Sequence, residues 1–200
     1  MILHLGDQVY NKGEDNDKTC QLFGEEYEAM EDSEKKLMKK RGRALLAKKY
    51  RQTWNKKATR SCLQQGCHLM IWSDNDVAND FTTMKDQNGE QAYPPAFLQV
   101  GIEMYRDYQR LLWDTSLTSG FVGLSISAAI SYFLSVARKG MPSEDEYFQE
   151  YHSHIYGPIG IFLMDIRGNR ITGNGVQQSE NPMVSEDQWE SLGRSCDSQI

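Results

Sequence analysis

The stretch Ile2-Leu3-His4-Leu5-Gly6-Asp7-Gln8-Val9-Tyr10 decides how the fold of this chain is interpreted. A short apolar strand over residues 2–5 runs into a glycine, whose backbone can turn sharply, and then into the carboxylate of Asp7. Open α/β sheets bind their ligands where the chain leaves the carboxyl ends of the strands. The stretch therefore predicts a strand that delivers Asp7 and the phenol of Tyr10 to a metal site at the sheet edge. A β-turn with a solvated aspartate is the alternative interpretation.

A second apolar run ends in the same way. Residues 68–72, His-Leu-Met-Ile-Trp, lead into the oxygen-bearing side chains of residues 73–76, Ser-Asp-Asn-Asp. Two strand ends at one edge of a parallel sheet can hold two cations about 3.5–4 Å apart, which is the geometry of two-metal phosphoester hydrolysis. The alternative is an acidic turn that caps a helix beginning near Val77.

The remainder of the chain predicts an α/β domain. A third apolar strand is expected over residues 159–165, and helices and loops follow from periodicity and from Gly, Pro and Asn content. The predicted helices cover residues 33–61, 97–113, 121–137 and 185–193, and the predicted loops cover 13–17, 142–150 and 170–182. Strands separated by long helices indicate a mostly parallel sheet.

The charge of the chain is unevenly distributed. The net charge of −6 argues against nucleic acid as a partner of the whole surface. Residues 34–60 nevertheless carry twelve of the 22 cationic side chains and one carboxylate. They predict an amphipathic helix, or two helices broken near Gly42, with a positive outer face. That face is either a solvated surface of a core-packed helix or a region that attracts polyanionic substrates and acidic surfaces.

Cysteine usage and the amino terminus predict a cytoplasmic protein. Cys62, Cys67 and His68 lack an evident fourth ligand for a soft metal, and reduced thiols are the simpler interpretation of the four cysteines. Met1 leads into a strand and not into a signal sequence. Residues 115–137 carry no charge over 23 positions, which is long enough to cross a bilayer. Their many serines favour a buried helix over a membrane span.

Four blocks of the sequence, in order, resemble the alkaline-phosphatase-D-like (PhoD-like) metallophosphatases, within the calcineurin-like metallophosphoesterases. The first is residues 4–10, His-Leu-Gly-Asp-Gln-Val-Tyr, and the second is residues 71–76, similar to the family's Trp-Asp-Asp-His-Asp. The third, residues 160–170, is similar to a strand ending in Asp-x-Arg-x-x-Arg. The fourth, residues 185–192, is similar to the Gln-Trp-x-x-Leu helix start that follows it.

The resemblance implies a calcineurin-like fold that hydrolyses phosphomonoesters or phosphodiesters with a metal-activated hydroxide. Two metal ions are implied, iron with calcium, zinc or manganese. Asp7 would bridge them, Tyr10 would ligate or flank a ferric ion, and Asp74 would bind the second metal.

The implied catalytic positions are those of Asn75 and Asp76, and the implied substrate-binding residues are Arg167 and Arg170. Guanidinium groups pair bidentately with phosphate oxygens. The alternative for both arginines is an ion pair with Asp165 or Asp187.

The sequence also departs from the family. Asn75 stands where the family carries a histidine, and an amide has no titrating proton to give a leaving group. Ser73 replaces the first of the paired aspartates, and the family's first strand and its late histidine motifs are missing. Residues 1–200 are therefore expected to be the central part of a larger domain, incomplete at both termini. The alternative function is a catalytically inactive fragment that acts as a binding or regulatory module, and the open edge predicts self-association.

Overall fold

The computed structural model describes residues 1–81, 93–114, 150–168, 184 and 186–197. Within these ranges, four strands and six α-helices are arranged along the chain with two short 3-10 turns. In order they are β1 (Ile2–Leu5), α1 (Glu14–Gln21), α2 (Glu26–Ala29), α3 (Asp32–Trp54), α4 (Lys57–Leu63), β2 (His68–Ile71), a 3-10 turn (Asp74–Asp76), α5 (Pro95–Tyr108), a 3-10 turn (Arg110–Leu112), β3 (His152–Tyr156), β4 (Ile159–Leu163) and α6 (Glu186–Asp197).

β1 and β2 form a parallel pair. Ile2 lies opposite His68 and Leu5 lies opposite Ile71, so the two strands end at the same level. Parallel neighbours need a long crossover, and α1 to α4 supply it. The two strands predicted at residues 2–5 and 68–72 are confirmed, and their carboxyl ends share one edge.

The third predicted strand lies in a different sheet. Among the described residues, β4 pairs only with β3, antiparallel, with His152 opposite Leu163 and Tyr156 opposite Ile159. The turn between them is Gly157-Pro158, in which Gly157 has φ 59°. The expectation of a mostly parallel sheet is therefore wrong for this strand, because a two-residue turn makes the local hairpin pairing possible without a crossover. The mixture of helices and strands agrees with an α/β class.

The long basic helix is continuous through Gly42 and is interrupted only at Asn55-Lys56, after α3 ends. Gly42 is needed for close packing, since a Cβ there would lie 2.8 Å from the ring of Phe23. On the α5 side, Arg43 forms ion pairs with Glu103 and with Asp107, the latter at 2.7 Å. Part of the positive charge predicted for the outer face of this helix is therefore neutralised by α5.

Other predicted elements have mixed outcomes. The loop predicted at residues 13–17 is wrong, because α1 begins at Glu14 and its acidic first residues suit a helix amino terminus despite the absence of an apolar stripe. α5 begins at Pro95, a favoured first helical residue, and α6 runs to Asp197. The helix predicted at 121–137, the loop at 170–182 and most of the loop at 142–150 lie outside the described residues. In the described ranges, no helix combines the length and the apolar character needed to cross a membrane.

The hydrophobic core lies where α3 and α5 pack beside β2. The ring of Tyr50 on α3 stacks on Tyr108 of α5 with centroids 4.6 Å apart. Trp72, directly after β2, packs its ring 5.2 Å from the ring of Tyr105, whose hydroxyl donates to the carbonyl of Met70. These buried aromatic side chains contribute much of the apolar burial, and they fix the carboxyl end of β2 against the helices.

Candidate metal centre and phosphate site

The turns after β1 and β2 lie directly against each other. Gly6 has φ 89°, and a Cβ on it would lie 2.4 Å from the Cβ of Ser73, so only glycine fits there. Asp7 also has a positive φ of 56°, which is uncommon for a residue with a side chain. The chain therefore turns sharply at the strand end and carries Asp7 towards the turn after β2.

The contacts of Asp7 with other described side chains are long. Both of its carboxylate oxygens lie 3.3 Å from the amide nitrogen of Asn75, and one accepts from the Tyr10 hydroxyl, also at 3.3 Å. These distances are at the outer limit of hydrogen bonding. The negative charge of Asp7 raises the pKa of the exposed Tyr10 phenol. Asp7, Tyr10 and Asn75 thus form one group of oxygen and amide side chains at the sheet edge.

Asp74 is more tightly held. One of its oxygens accepts from the Ser73 hydroxyl at 2.9 Å and pairs with the Arg167 guanidinium at 3.0 Å, and the other accepts from the Asp80 N–H at 2.9 Å. Burial opposes ionisation, but these hydrogen bonds and the Arg167 charge hold the pKa of Asp74 below its usual value. An ion pair with Asp165 or Asp187 was the alternative to phosphate binding for this arginine, and the structure shows an ion pair of Arg167 with Asp74.

Asp76 connects the two turns. Its buried carboxylate accepts from the N–H of Val9 and from the N–H of Ser73, each at 2.9 Å. Its own carbonyl accepts from the Asn11 side chain at 2.6 Å. Burial raises the pKa of Asp76 to about 6. Both carboxylate oxygens of Asp76 accept from backbone N–H groups, one in each turn. The resemblance places Asp76 among the catalytic residues, but these contacts are those of a structural residue that links the two turns.

The third and fourth blocks meet at the end of β4. Asp165 is fully buried and accepts from the Trp72 indole N–H at 2.7 Å, which connects the end of β4 to the end of β2. Gln188 on α6 accepts from the Asp165 N–H and donates to the Asp165 carbonyl, at 2.7 and 3.0 Å. This anchored turn brings Arg167 to Asp74. Arg170 lies outside the described residues.

Two histidine pairs were not assigned by sequence reasoning. His4 and His68 contact each other through ring nitrogens 3.0 Å apart, and so do His152 and His154. The ring of His152 packs at a tilt against that of Trp113 with centroids 4.0 Å apart, and burial lowers the pKa of His152 to about 3. The contact between His152 and His154 could have been predicted, because residues two apart on a strand lie on the same face. The contact between His4 and His68 could not, because it depends on the register of β1 and β2, which the sequence does not show.

Oxygen-bearing side chains that could serve as cation ligands lie at the shared edge of β1 and β2. The part of the chain that the structure describes contains no group of three or more His, Cys, Asp or Glu side chains arranged around a metal position. Asp7 with the Tyr10 phenol offers oxygen ligands of the kind that hard cations prefer. At Asp74 the guanidinium of Arg167 already supplies the positive charge. Among the described residues, Asp7 and Tyr10 are therefore the side chains that could hold a cation at this edge, and Asp74 is held in an ion pair with Arg167.

No family model, curated protein or solved structure matches this chain.

Proposed function

We propose that this chain binds a phosphoester at the shared edge of β1 and β2 and hydrolyses it with the help of a hard cation held by Asp7 and Tyr10. The observation that supports this proposal is the contact of Arg167 with Asp74, beside the turn that carries Asp7. A guanidinium suited to phosphate and a weakly engaged carboxylate suited to a cation lie on neighbouring turns. The order of the four sequence blocks gives independent support.

Arg167 is the residue that would bind substrate. Its guanidinium pairs with the Asp74 carboxylate, and a phosphate group offers oxygens that a guanidinium binds in the same bidentate way, with more negative charge. Binding would exchange the Asp74 contact for a phosphate contact. Asp74 would then keep its bonds from Ser73 and Asp80, so the turn would stay in place.

Asp7 and Tyr10 would hold the cation, which when bound supplies a hydroxide from water near neutral pH. Asn75 lies against Asp7 and can donate a hydrogen bond to a phosphate oxygen, but it has no proton to give the leaving group. An imidazole in this role contributes about 10²–10⁴-fold. We therefore expect aryl phosphates, whose leaving groups need no proton, to be strongly preferred over alkyl phosphates.

The test is hydrolysis of an aryl phosphate by the full chain with Mn²⁺, compared among wild type, Asp7→Asn, Arg167→Gln and Asp32→Asn. Asp7→Asn is expected to lower kcat/KM by at least about 100-fold, since a bound cation contributes several kcal/mol. Arg167→Gln is expected mainly to raise KM. Asp32 is an exposed carboxylate at the start of α3 and is the matched control. No turnover by the wild type, or equal turnover by Asp7→Asn, contradicts the proposal.

The second candidate is a binding module without catalysis. Asn75 and the Arg167–Asp74 ion pair favour it, because the first removes a general acid and the second occupies the place of a second cation. Calorimetry with inorganic phosphate separates the two. Binding that needs Arg167, without turnover of any phosphoester, identifies the module.

A further inference from the structure

Four hydrogen bonds run in line from α4 to the turn that carries Asp7. The Cys62 carbonyl lies 3.0 Å from His68 Nε2, and His68 Nδ1 lies 3.0 Å from His4 Nε2. His4 Nδ1 then lies 2.9 Å from Gln8 Oε1, and Gln8 Nε2 donates to the Gly6 carbonyl at 2.7 Å. We call this line the histidine relay. It ends on the peptide group that joins Gly6 to Asp7.

Both ends of the relay are carbonyl oxygens, which only accept. His68 must therefore donate from Nε2 to Cys62, and Gln8 must donate from Nε2 to Gly6. The Gln8 oxygen then accepts from His4 Nδ1–H. These bonds use one proton on each ring, and the contact between the two rings needs another. Two neutral imidazoles carry two protons in total, so a complete relay holds three and has a net charge of +1.

The surroundings make this charge sensitive to pH. His68 is buried and His4 is half-buried, with ring centroids 5.2 Å apart. The described groups that face the pair are Gln8 from the β1 turn and the Cys62 backbone from α4, neither of which is charged. Burial is the main influence that lowers the pKa of His4, reinforced by His68 and opposed by the Gln8 bond. The third proton is therefore bound less tightly than that of an exposed imidazolium, and the complete relay is lost as pH rises.

Loss of that proton leaves two ring lone pairs facing each other across 3.0 Å. Either a ring or the Gln8 amide must then turn, and a turned amide loses its bond to the Gly6 carbonyl. Gly6 and Asp7 both have positive φ, and for Asp7 this conformation is disfavoured without outside support. In the complete relay, the hydrogen bond from Gln8 to the Gly6 carbonyl stabilises this conformation.

We propose that His4 and His68 share one proton and, through Gln8, position Asp7, so that the relay is a proton-dependent positioning device for the turn after β1. Its effect on the cation site rests on the proposed function, whereas the shared proton does not. The relay touches neither substrate nor cation, and it acts on them only through the Gly6-Asp7 peptide.

The test is NMR of the uniformly labelled full chain without metal, across pH 4 to 9, following ring nitrogens and the Gly6-Asp7 peptide. We expect His4 and His68 to lose one proton in a single common step, and the peptide signals to move with the same midpoint. Gln8→Glu should raise that midpoint by at least about one pH unit, because a carboxylate stabilises the charged pair. Gln8→Leu should leave the ring titration in place and abolish the response of the peptide.

The second histidine pair is an internal control in the same spectra. His152 Nε2 lies 3.1 Å from the Met70 carbonyl and its Nδ1 faces His154, an arrangement that two neutral rings satisfy. No shared charge is expected there. Separate titration of His4 and His68, or an unresponsive Gly6-Asp7 peptide in the wild type, would overturn the proposal.

Mn²⁺ titration then separates this inference from the proposed function. At a pH below the common midpoint, where the relay is complete, a wild type that binds Mn²⁺ at Asp7 should lose about 10–100-fold in affinity on Gln8→Leu, the usual effect of removing a group that orients a ligand. If the wild type shows the common titration but binds no Mn²⁺, the shared proton is supported and the cation site of the proposed function is contradicted. Unchanged Mn²⁺ affinity in Gln8→Leu contradicts the positioning role.

Discussion

The turn after β1 and the turn after β4 each place an aspartate just beyond an apolar strand, but the two carboxylates are used differently. Asp165 accepts four hydrogen bonds, from the Trp72 indole and from the backbone N–H groups of Glu150, Arg167 and Gly168, at 2.7 to 3.0 Å. The hydrogen bonds of Asp7 to other described side chains are 3.3 Å long, and the residue is partly exposed. The first carboxylate is fully engaged within the fold, whereas the second is the one to which we assign a ligand in the proposed function.

The comparison shows how to separate structural from functional carboxylates at strand ends. The sequence pattern alone does not distinguish structural from functional carboxylates, because both kinds follow an apolar run. The difference lies in how many nearby N–H groups donate to each carboxylate. Asp74 and Asp76 are intermediate in the number of N–H groups that donate to them. Asp76 is closer to Asp165 than to Asp7, because both of its oxygens accept from backbone N–H groups. The variants below test this ordering from the strongest expected effect to the weakest.

Asp165→Ala should cause the largest loss of stability. It would leave a buried indole N–H and three backbone N–H groups without an acceptor, at about 1–3 kcal/mol for each group that water cannot reach. We expect the free energy of unfolding to fall by about 4 kcal/mol or more, measured by urea denaturation with tryptophan fluorescence. Asp32→Ala, at an exposed helix start, should cost about 0.5 kcal/mol. Equal losses for the two variants would contradict the structural role of Asp165.

Asp76 should make stability depend on pH. Its pKa is 3.8 in the unfolded chain and is raised to about 6 by burial, so between these values the folded state binds more protons. Stability from this group is complete below about pH 4 and is lost as pH rises through about 6, by up to about 3 kcal/mol.

The measurement is the difference in unfolding free energy between wild type and Asp76→Asn across this range. The advantage of the wild type should shrink as pH rises. Histidines such as His152, whose pKa is about 3, act in the opposite direction in both proteins and cancel in the difference. A difference that does not change with pH would mean that Asp76 is ionised without cost, and one that grows with pH would mean that the fold stabilises the carboxylate.

The close approach of the two turns can be measured with a matched pair of glycines. Gly6→Ala adds a Cβ that would meet Ser73, including its backbone nitrogen at 3.1 Å, whereas Gly13 has a similar φ of 73° and nothing within 4 Å. Both variants carry the strain of positive φ, about 1–2 kcal/mol. We expect Gly6→Ala to cost about 2 kcal/mol more than Gly13→Ala. If Gly6→Ala and Gly13→Ala lowered the free energy of unfolding equally, the turns after β1 and β2 would be able to move apart at little cost.

Much of the fold was predictable because its strands are short apolar runs that end in polar turns. β1, β2 and β4 and the helices α3, α5 and α6 follow from such patterns. β3 was missed because His152-Ser-His-Ile-Tyr156 has too few apolar residues, and the pairing of β4 with it could not then be foreseen.

The site was predictable in part. The repeated strand-end pattern correctly placed Asp7 beside the turn after β2, because parallel strands of equal length end together. The Arg167–Asp74 contact spans distant parts of the chain and depends on how Trp72 and Gln188 anchor the β4 turn. The relay depends on strand register, which pairs Ile2 and not His4 with His68, so the two rings meet diagonally.

Asp7→Asn is the smallest expected change in stability and the sharpest test of the comparison. Its contacts are long, so little hydrogen-bond energy is lost, and asparagine adopts positive φ at least as readily as aspartate. Removing its charge also relieves repulsion from the other carboxylates of the two turns. We expect the free energy of unfolding to change by less than about 0.5 kcal/mol. A variant that folds as stably as wild type yet fails to bind Mn²⁺ would show that Asp7 serves a ligand, and a loss comparable to that of Asp165→Ala would show that both aspartates are structural.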